Sequence, residues 1–327
     1  MTAPGPSPEH SILESRLPPR GSLLIVRNPR SRRAPSEQTL LDAARRLESA
    51  GWQIEVRATS AAGHATELAR AAALQGVDAV LACGGDGTAR EVAEGLAHTS
   101  TALGVLPAGT ANVWAHEAGI PLRLDAALAL ATRARRVRID TGLANGHRFL
   151  LMCSAGLDAT VVRELEGGGA KRGFGRLAYV LAGVRGAART RGVPAAIEVD
   201  GLRLQRDVLM AVVGNTRLFG VVARVTAHAR ADDGVFDVCV LSGGAGDSLP
   251  RRLSLAWSSL RGRLPEAAER GAGGVDYLRG RVVRVTAESP IDVQADGDWI
   301  GQTPVEIEID PASLWVLVAP GVNPLFG

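Results

Sequence analysis

Between Gly21 and Arg138 short apolar runs alternate with amphipathic stretches, and this alternation constrains the fold more than any other feature of the chain. Ser22–Arg27 reads as a buried strand, followed by an amphipathic helix over Ser36–Ala50 with Leu40, Leu41, Ala44 and Leu47 on one face. Trp52–Arg57, Val77–Cys83 and Leu103–Pro107 read as strands; Ala61–Ala73, Ala89–Ala97 and Asn112–Ala118 read as helices. Strand–helix units of this length build a parallel sheet covered by helices on both faces. The expected class is an α/β N-terminal domain with a Rossmann-like parallel sheet.

After Ile139 the rhythm changes. Ala144-Asn145-Gly146-His147 and Val199-Asp200-Gly201-Leu202 are strong hairpin turns, because Asn-Gly and Asp-Gly tolerate the positive φ that tight turns need. Strand patterns follow at Val208–Val213, Val221–Thr226, Val235–Leu241, Val282–Thr286, Ile291–Ala295, Val305–Ile309 and Leu314–Val318. Helical interruptions are expected near Gly175–Arg189 and Leu249–Leu260. This describes a β-rich antiparallel C-terminal domain. The 327 residues have room for both domains. The boundaries drawn are a disordered tail over 1–20, an α/β domain over 21–138 and a β-rich domain over 139–327, its last residues packing back on the first domain. The tail, rich in Pro and Ser, has no apolar core of a signal peptide.

Composition excludes several chemistries. No apolar run is long enough to span a bilayer, so any membrane contact is made from one side. The three cysteines, Cys83, Cys153 and Cys239, are odd in number and unclustered. That argues for reduced cytosolic thiols over a disulfide framework or a zinc site. Lys171 is the sole lysine, so a lysine phosphate clamp is nearly excluded and positive contacts fall to arginine. The arginines are scattered, with short runs such as Arg133-Ala-Arg135-Arg136-Val-Arg138. No basic stripe with interleaved aromatics marks a nucleic-acid partner.

Gly84-Gly85-Asp86-Gly87-Thr88 follows a strand and precedes a helix, at the carboxyl edge where open α/β sheets bind ligands. Glycines let successive N–H groups face one concavity, and a helix N-terminus adds positive potential, which together cradle phosphate. The same residues also suit a plain glycine-rich turn with Asp86 or Thr88 as helix cap. A second loop, Pro107-Ala108-Gly109-Thr110-Ala111-Asn112, repeats the arrangement, and Asn28-Pro29-Arg30-Ser31 supplies a third polar turn at the same edge. Two adjacent crests make a nucleotide-sized crevice. Neither a Walker loop nor a complete dinucleotide fingerprint occurs.

These spaced motifs strongly resemble the diacylglycerol kinase catalytic family, in particular its bacterial lipid kinase branch, which is related to sphingosine and ceramide kinases. Asp140-Thr-Gly, Phe149–Asp158, Gly214-Asn215, Asp232-Asp233-Gly234 and Asp296-Gly297-Asp298 fall where that family's later motifs stand. The resemblance implies a two-domain kinase with an interdomain cleft, moving the γ-phosphate of ATP, with Mg²⁺, to a lipid hydroxyl. By the same resemblance Asn28, Gly84, Gly85, Gly87, Thr88, Gly109, Thr110 and Asn112 hold nucleotide, and Asp86 organises metal and phosphates. Asp233 matches a metal-binding position, and Asp296 and Asp298 match an Asp-Gly-Glu motif that deprotonates the acceptor. Taken by itself, Asp296-Gly297 is also an ordinary turn, and Asp200-Gly201 is an internal control where no chemistry is expected.

Several positions depart from the family pattern. Asp298 replaces the usual Glu, Arg90 and Glu94 replace common asparagines, and Arg32 replaces a glycine after Ser31. Leu218-Phe-Gly-Val-Val222 lacks a glycine run, and Ala227 stands for a usual proline. The expected function is an ATP-dependent lipid kinase acting on diacylglycerol or a related lipid. The alternatives are an NAD kinase-like enzyme, which shares the Gly-Gly-Asp-Gly-Thr loop, and a nucleotide-binding regulator with impaired catalysis. The expected location is cytoplasmic, peripheral to the inner face of the membrane, with a lipid substrate at that surface; a homodimer is compatible with the sequence.

Overall fold

A computed structural model describes residues 15–167, 192–220, 223–243, 258, 261–271, 273–321, 323 and 325–326. The tail up to residue 14 and the helix expected near Gly175–Arg189 lie outside the described residues, as does the helix expected over Leu249–Leu260 apart from Ser258. The chain divides into two compact units, one of Met1–Thr141, Ala231–Gly234 and Pro311–Gly327, the other of Gly142–Arg230 and Val235–Asp310.

The first unit opens with β1 (Ser15–Arg16), which pairs antiparallel with Arg135 and Arg136 while Leu17 is buried. The last residues of the expected loose tail are therefore ordered, because a backbone ladder and one apolar anchor hold them. Then follow β2 (Ser22–Arg27), α1 (Glu37–Glu48), β3 (Gln53–Ala58), α2 (His64–Leu74), β4 (Ala79–Gly84), α3 (Asp86–Leu96), β5 (Ala102–Pro107), α4 (Val113–Glu117), α5 (Leu124–Ala131) and β6 (Arg135–Ala144). Strands β3, β2, β4 and β5 lie side by side and parallel in that order. Every residue of β4 is buried, as an apolar run in a sheet covered on both faces requires. Helix α1 starts where a Ser side chain can cap it: Ser36 accepts the Thr39 N–H at 3.1 Å.

In the second unit the end of β6 forms a hairpin with β7 (His147–Phe149) through Asn145 and Gly146, both at positive φ (46° and 83°). There follow β8 (Met152–Gly156), α6 (Leu157–Gly167), β9 (Val193–Val199), β10 (Leu202–Gly214), β11 (Phe236–Ser242), α7 (Leu264–Glu269), β12 (Val275–Gly280), β13 (Val282–Ala287), β14 (Asp292–Ala295), β15 (Asp298–Gln302) and β16 (Val305–Val318). Strands run antiparallel in the order β15-β14-β8-β10-β9-β13-β16, and β11 joins β10 and β12. Strand β9 alternates buried and half-buried residues, the pattern of a sheet with one covered face. Its inward side chains Ala195, Ile197 and Val199 join a core with Phe149, Val213, Phe236, Val283 and Ile307, in which Phe149 stacks on Phe236 at 5.7 Å. Burying such side chains stabilises by about 1.5–3 kcal/mol each.

Two expected strands, Val305–Ile309 and Leu314–Val318, form the single strand β16, whose residues through Asp310 belong to the second unit and whose later residues run parallel to β5 in the first. Of the strand expected over Val221–Thr226, Val221 and Val222 lie outside the described residues; Ala223 makes an isolated bridge to Phe219, and residues 225–228 turn. The buried Thr226 hydroxyl donates to the Thr216 carbonyl at 2.7 Å, a local bond that competes with a strand ladder.

Candidate active site

The three polar turns of the first unit meet at the carboxyl edge of its sheet. Asn28, just past β2, donates its N–H to the Cys83 carbonyl (2.9 Å) and its Nδ2 to Thr88 Oγ1 (3.0 Å). Ala108 donates its N–H to the Gly84 carbonyl at 2.8 Å, joining the second loop to the first. At their contact the two loops touch backbone to backbone. A Cβ at Gly109 would lie 2.5 Å from the Gly85 Cα, so only glycine permits this approach.

The helix after the first loop begins at Asp86 rather than Ala89, so Asp86, Gly87 and Thr88 form its first turn. A glycine inside a helical turn reads in sequence as loop; here Thr88 and Ala89 both donate to the Gly85 carbonyl and close the turn. The N–H groups at a helix start lack intrahelical partners and favour an anion. Asp86 Oδ1 accepts the Trp114 N–H at 3.1 Å, so this carboxylate also caps the start of α4. Burial pushes the Asp86 carboxyl above its usual range, opposed by amides of Trp114, Val113, Asp86 itself and Asn112. Asn112 is turned inward: at φ 52°, its Oδ1 accepts the Gly109 N–H (2.9 Å) and its Nδ2 donates to the Gly109 carbonyl (3.1 Å). Asn28, Thr88 and Asn112 thus brace the loops, while Gly87 faces open space and Thr110 is exposed.

Beside these loops lies a pocket of about 190 Å³ lined by Asn28, Arg30, Thr59, Ser60, Thr88 and Glu91 among others. No sequence motif singles out Thr59, Ser60 or Glu91. The one available signal is position: Thr59 and Ser60 directly follow β3 at the same edge. Glu91 Oε2 accepts the Ala65 N–H at 3.2 Å, near the start of α2.

In the second unit the later motifs come together around one turn. Asp296 and Gly297 sit at positive φ (51° and 89°) between β14 and β15, the geometry of a tight hairpin. The Asp296 carboxylate accepts three successive backbone N–H groups, Leu150 at 2.7 Å, Leu151 at 2.9 Å and Met152 at 3.0 Å. Asn215 holds that segment from behind, donating Nδ2 to the Leu150 carbonyl and N–H to the Leu151 carbonyl, each at 2.9 Å. Gln294 Oε1 accepts the Gly297 N–H (2.7 Å), and its Nε2 donates to Ser154 Oγ (2.6 Å) and Asp158 Oδ2 (3.3 Å). Ser154 also donates to Asp158. Burial pushes the Asp158 carboxyl up, opposed by these two donors. Asp298, half-buried, begins β15 directly after the turn.

Asp233 lies in a turn fastened by the buried Asp140, whose Oδ2 accepts the Gly234 N–H at 2.7 Å and whose Oδ1 accepts the Ala312 N–H at 2.6 Å. Among the described residues no three His, Cys, Asp or Glu side chains are grouped to hold a metal ion. Mg²⁺ characteristically takes one or two carboxylates and completes its shell with phosphate oxygens and water. The carboxylate of Asp86 fits that mode, since a carboxylate that caps a helix through Oδ1 keeps acceptor capacity on its second oxygen. Cys83, Cys153 and Cys239 are buried free thiols.

Residues 22–144 match the family model of the diacylglycerol kinase catalytic domain, and residues 152–318 match that of the YegS C-terminal NAD kinase beta sandwich-like domain. A diacylglycerol kinase of Bacillus subtilis is 31% identical over 286 residues, covering 86% of this chain and 91% of the relative. A probable lipid kinase YegS-like protein of Pseudomonas putida is 32% identical over 283 residues, covering 85% and 90%. In fold, the crystal structure of a putative diacylglycerol kinase from Bacillus anthracis superposes with a TM-score of 0.73 at 20% identity, covering 92% of this chain and 96% of that one.

Proposed function

The chain belongs to the diacylglycerol kinase catalytic-domain family, in its bacterial lipid kinase branch, and from that premise we propose that it transfers the γ-phosphoryl group of ATP to a hydroxyl of diacylglycerol or a related lipid. The observation that carries the reading is the Gly85–Gly109 contact, which fuses two strand–loop–helix crests into one amide-rich edge beside a polar pocket. Phosphoryl transfer asks for positioning and charge neutralisation more than for covalent chemistry, and backbone amides at two helix starts supply both.

In this reading the base of the nucleotide enters the pocket beside Asn28, Thr59 and Ser60. Its phosphates lie along the amides of Gly84–Thr88, within reach of the Thr110 hydroxyl. Asp86 would supply the protein oxygen to Mg²⁺ bound with the nucleotide, which would neutralise phosphate charge. Asp298 takes the proton as the lipid oxygen bonds to the γ-phosphorus and the bond to the β-phosphate bridging oxygen breaks. Asp296 holds the turn that presents Asp298. In this reading the lipid is met at the bilayer surface; among the described residues no helix is long and apolar enough to cross a membrane.

One observation favours a second reading: the C-terminal half matches a domain described as NAD kinase-like. A turnover assay with γ-labelled ATP separates the two. Label extracted with diacylglycerol, sphingosine or ceramide supports the lipid kinase; label on NAD supports the second reading. Nucleotide binding without transfer to any acceptor identifies a regulator and overturns both.

A further inference from the structure

The arginine run at residues 133–138 takes no part in the nucleotide loops or the Asp296 turn, yet it is organised. Arg136 and Arg138 lie two residues apart on β6 and therefore share one face of the strand. Both guanidinium groups lie on the indole of Trp315, at 4.3 Å and 5.8 Å from the ring centroid. Among the described residues the buried Nε of each has no hydrogen-bond partner. Arg136 spends a terminal nitrogen on the Ser100 carbonyl. The strand β1 adds charge at this edge, placing the exposed Arg16 opposite Arg135. Burial disfavours the charged form of Arg136, opposed by the nearby carboxylate of Asp78, whose Oδ2 already accepts the N–H and hydroxyl of Ser22 at 2.7 Å and 2.9 Å.

Two like charges on one indole repel, and half-buried guanidinium N–H groups without acceptors are costly. Stacking leaves the in-plane N–H edges of a guanidinium free to donate, the geometry that receives a phosphate. Trp315 pairs with Ala102, the first residue of β5, whereas the glycine loop follows its last residue, Pro107. At about 3.3 Å per residue the two places are on the order of 16 Å apart along the strand. The arginine pair is thus at the opposite edge of the sheet from the nucleotide loops.

We propose that Arg136, Arg138 and Trp315 form a binding site for a phosphate-bearing anion, separate from the nucleotide site. The proposal does not depend on the identity of the reaction. Two sources carry that chemistry, free phosphate and the phosphodiester headgroup of an anionic lipid. Arg138→Gln tests it, because the guanidinium can be removed without breaking the Ser100 bond of its neighbour; Arg138→Lys keeps the charge and removes the fork.

Thermal unfolding is followed while inorganic phosphate replaces chloride at constant ionic strength, and co-sedimentation is measured with phosphatidylcholine vesicles with and without phosphatidylglycerol. Phosphate near one hundred times its Kd should raise the wild-type Tm by roughly 5 °C. Arg138→Gln should weaken that response by about tenfold in phosphate concentration or more, with Arg138→Lys between them and the ATP-induced shift unchanged. Loss of vesicle binding in Arg138→Gln, for vesicles containing phosphatidylglycerol, assigns the site to a lipid headgroup. An Arg138-dependent phosphate shift with vesicle binding unaffected assigns it to free phosphate. If neither the phosphate response nor vesicle binding changes in Arg138→Gln, the site does not exist.

Discussion

The second unit contains the same dipeptide twice, and the two copies differ in the residue that comes next. Asp200-Gly201 and Asp296-Gly297 both turn at positive φ between antiparallel strands. In both, the carboxylate reaches a neighbouring segment and accepts backbone N–H groups: Arg281 and Val282 for Asp200, and Leu150, Leu151 and Met152 for Asp296. After Asp200-Gly201 comes Leu202, 55% exposed; after Asp296-Gly297 comes Asp298, half-buried. The control turn does structurally what Asp296 does. Asp296 therefore fastens its turn, and the chemical difference between the copies is Asp298.

On the proposed mechanism some carboxylates in this chain hold backbone and others act, and Asp86 tests that division hardest because it is assigned to both. Asp86→Asn keeps an oxygen for the Trp114 N–H and removes the charge. Turnover should fall about 10³-fold or more, the upper end for one electrostatic group, with Tm unchanged. A fall in Tm with full specific activity in the soluble fraction would return Asp86 to a helix cap alone. Next in size is Asp296→Ala, which orphans the amides of three buried residues and should cost roughly 3 kcal/mol in denaturant unfolding. Asp200→Ala, at an exposed turn, should cost about 1 kcal/mol. Equal costs would break the ranking between the two turns.

The smallest expected effect concerns the network behind the second turn. Burial raises the Asp158 carboxyl above its usual 3.8. The folded chain then keeps that proton to higher pH than the unfolded chain does. The contribution to stability is full below about pH 4 and is lost as pH rises. Urea unfolding of wild type and Asp158→Asn across pH 4–8 should show wild type losing stability relative to the variant. A pH-independent difference would remove Asp158 from the titrating groups.

Much of this was legible in the sequence for physical reasons. Strands β2, β4 and β5 are buried on both faces and so read as apolar runs, and the Asn-Gly and Asp-Gly turns announce their own φ. The glycine loops and Asn28 stand at strand ends, where position alone suggests a site; Asp298 is set apart from an ordinary turn only by the family resemblance. What stayed hidden depends on tertiary contact. The amides that hold Asp296 lie over 140 residues away in sequence, between Leu150 and Met152. The pocket residues Thr59, Ser60 and Glu91 sit on separate elements with nothing local to link them. Helix α5, Leu124–Ala131, is so uniformly apolar that it shows no face, and strand β12 hides its pattern behind Asp276, Tyr277 and Arg279.

The central claim is that Asp298 accepts the proton of the lipid hydroxyl, and its most direct test is steady-state transfer of γ-phosphate from ATP to diacylglycerol by Asp298→Asn and Asp298→Glu. A positioned general base contributes about 10²–10⁴-fold, so Asp298→Asn should lower kcat by at least about 10²-fold with nucleotide affinity nearly unchanged. Asp298→Glu, which restores the longer acid, should retain or raise activity. Wild-type turnover by Asp298→Asn would contradict the account and move the base to Asp296 or Asp86.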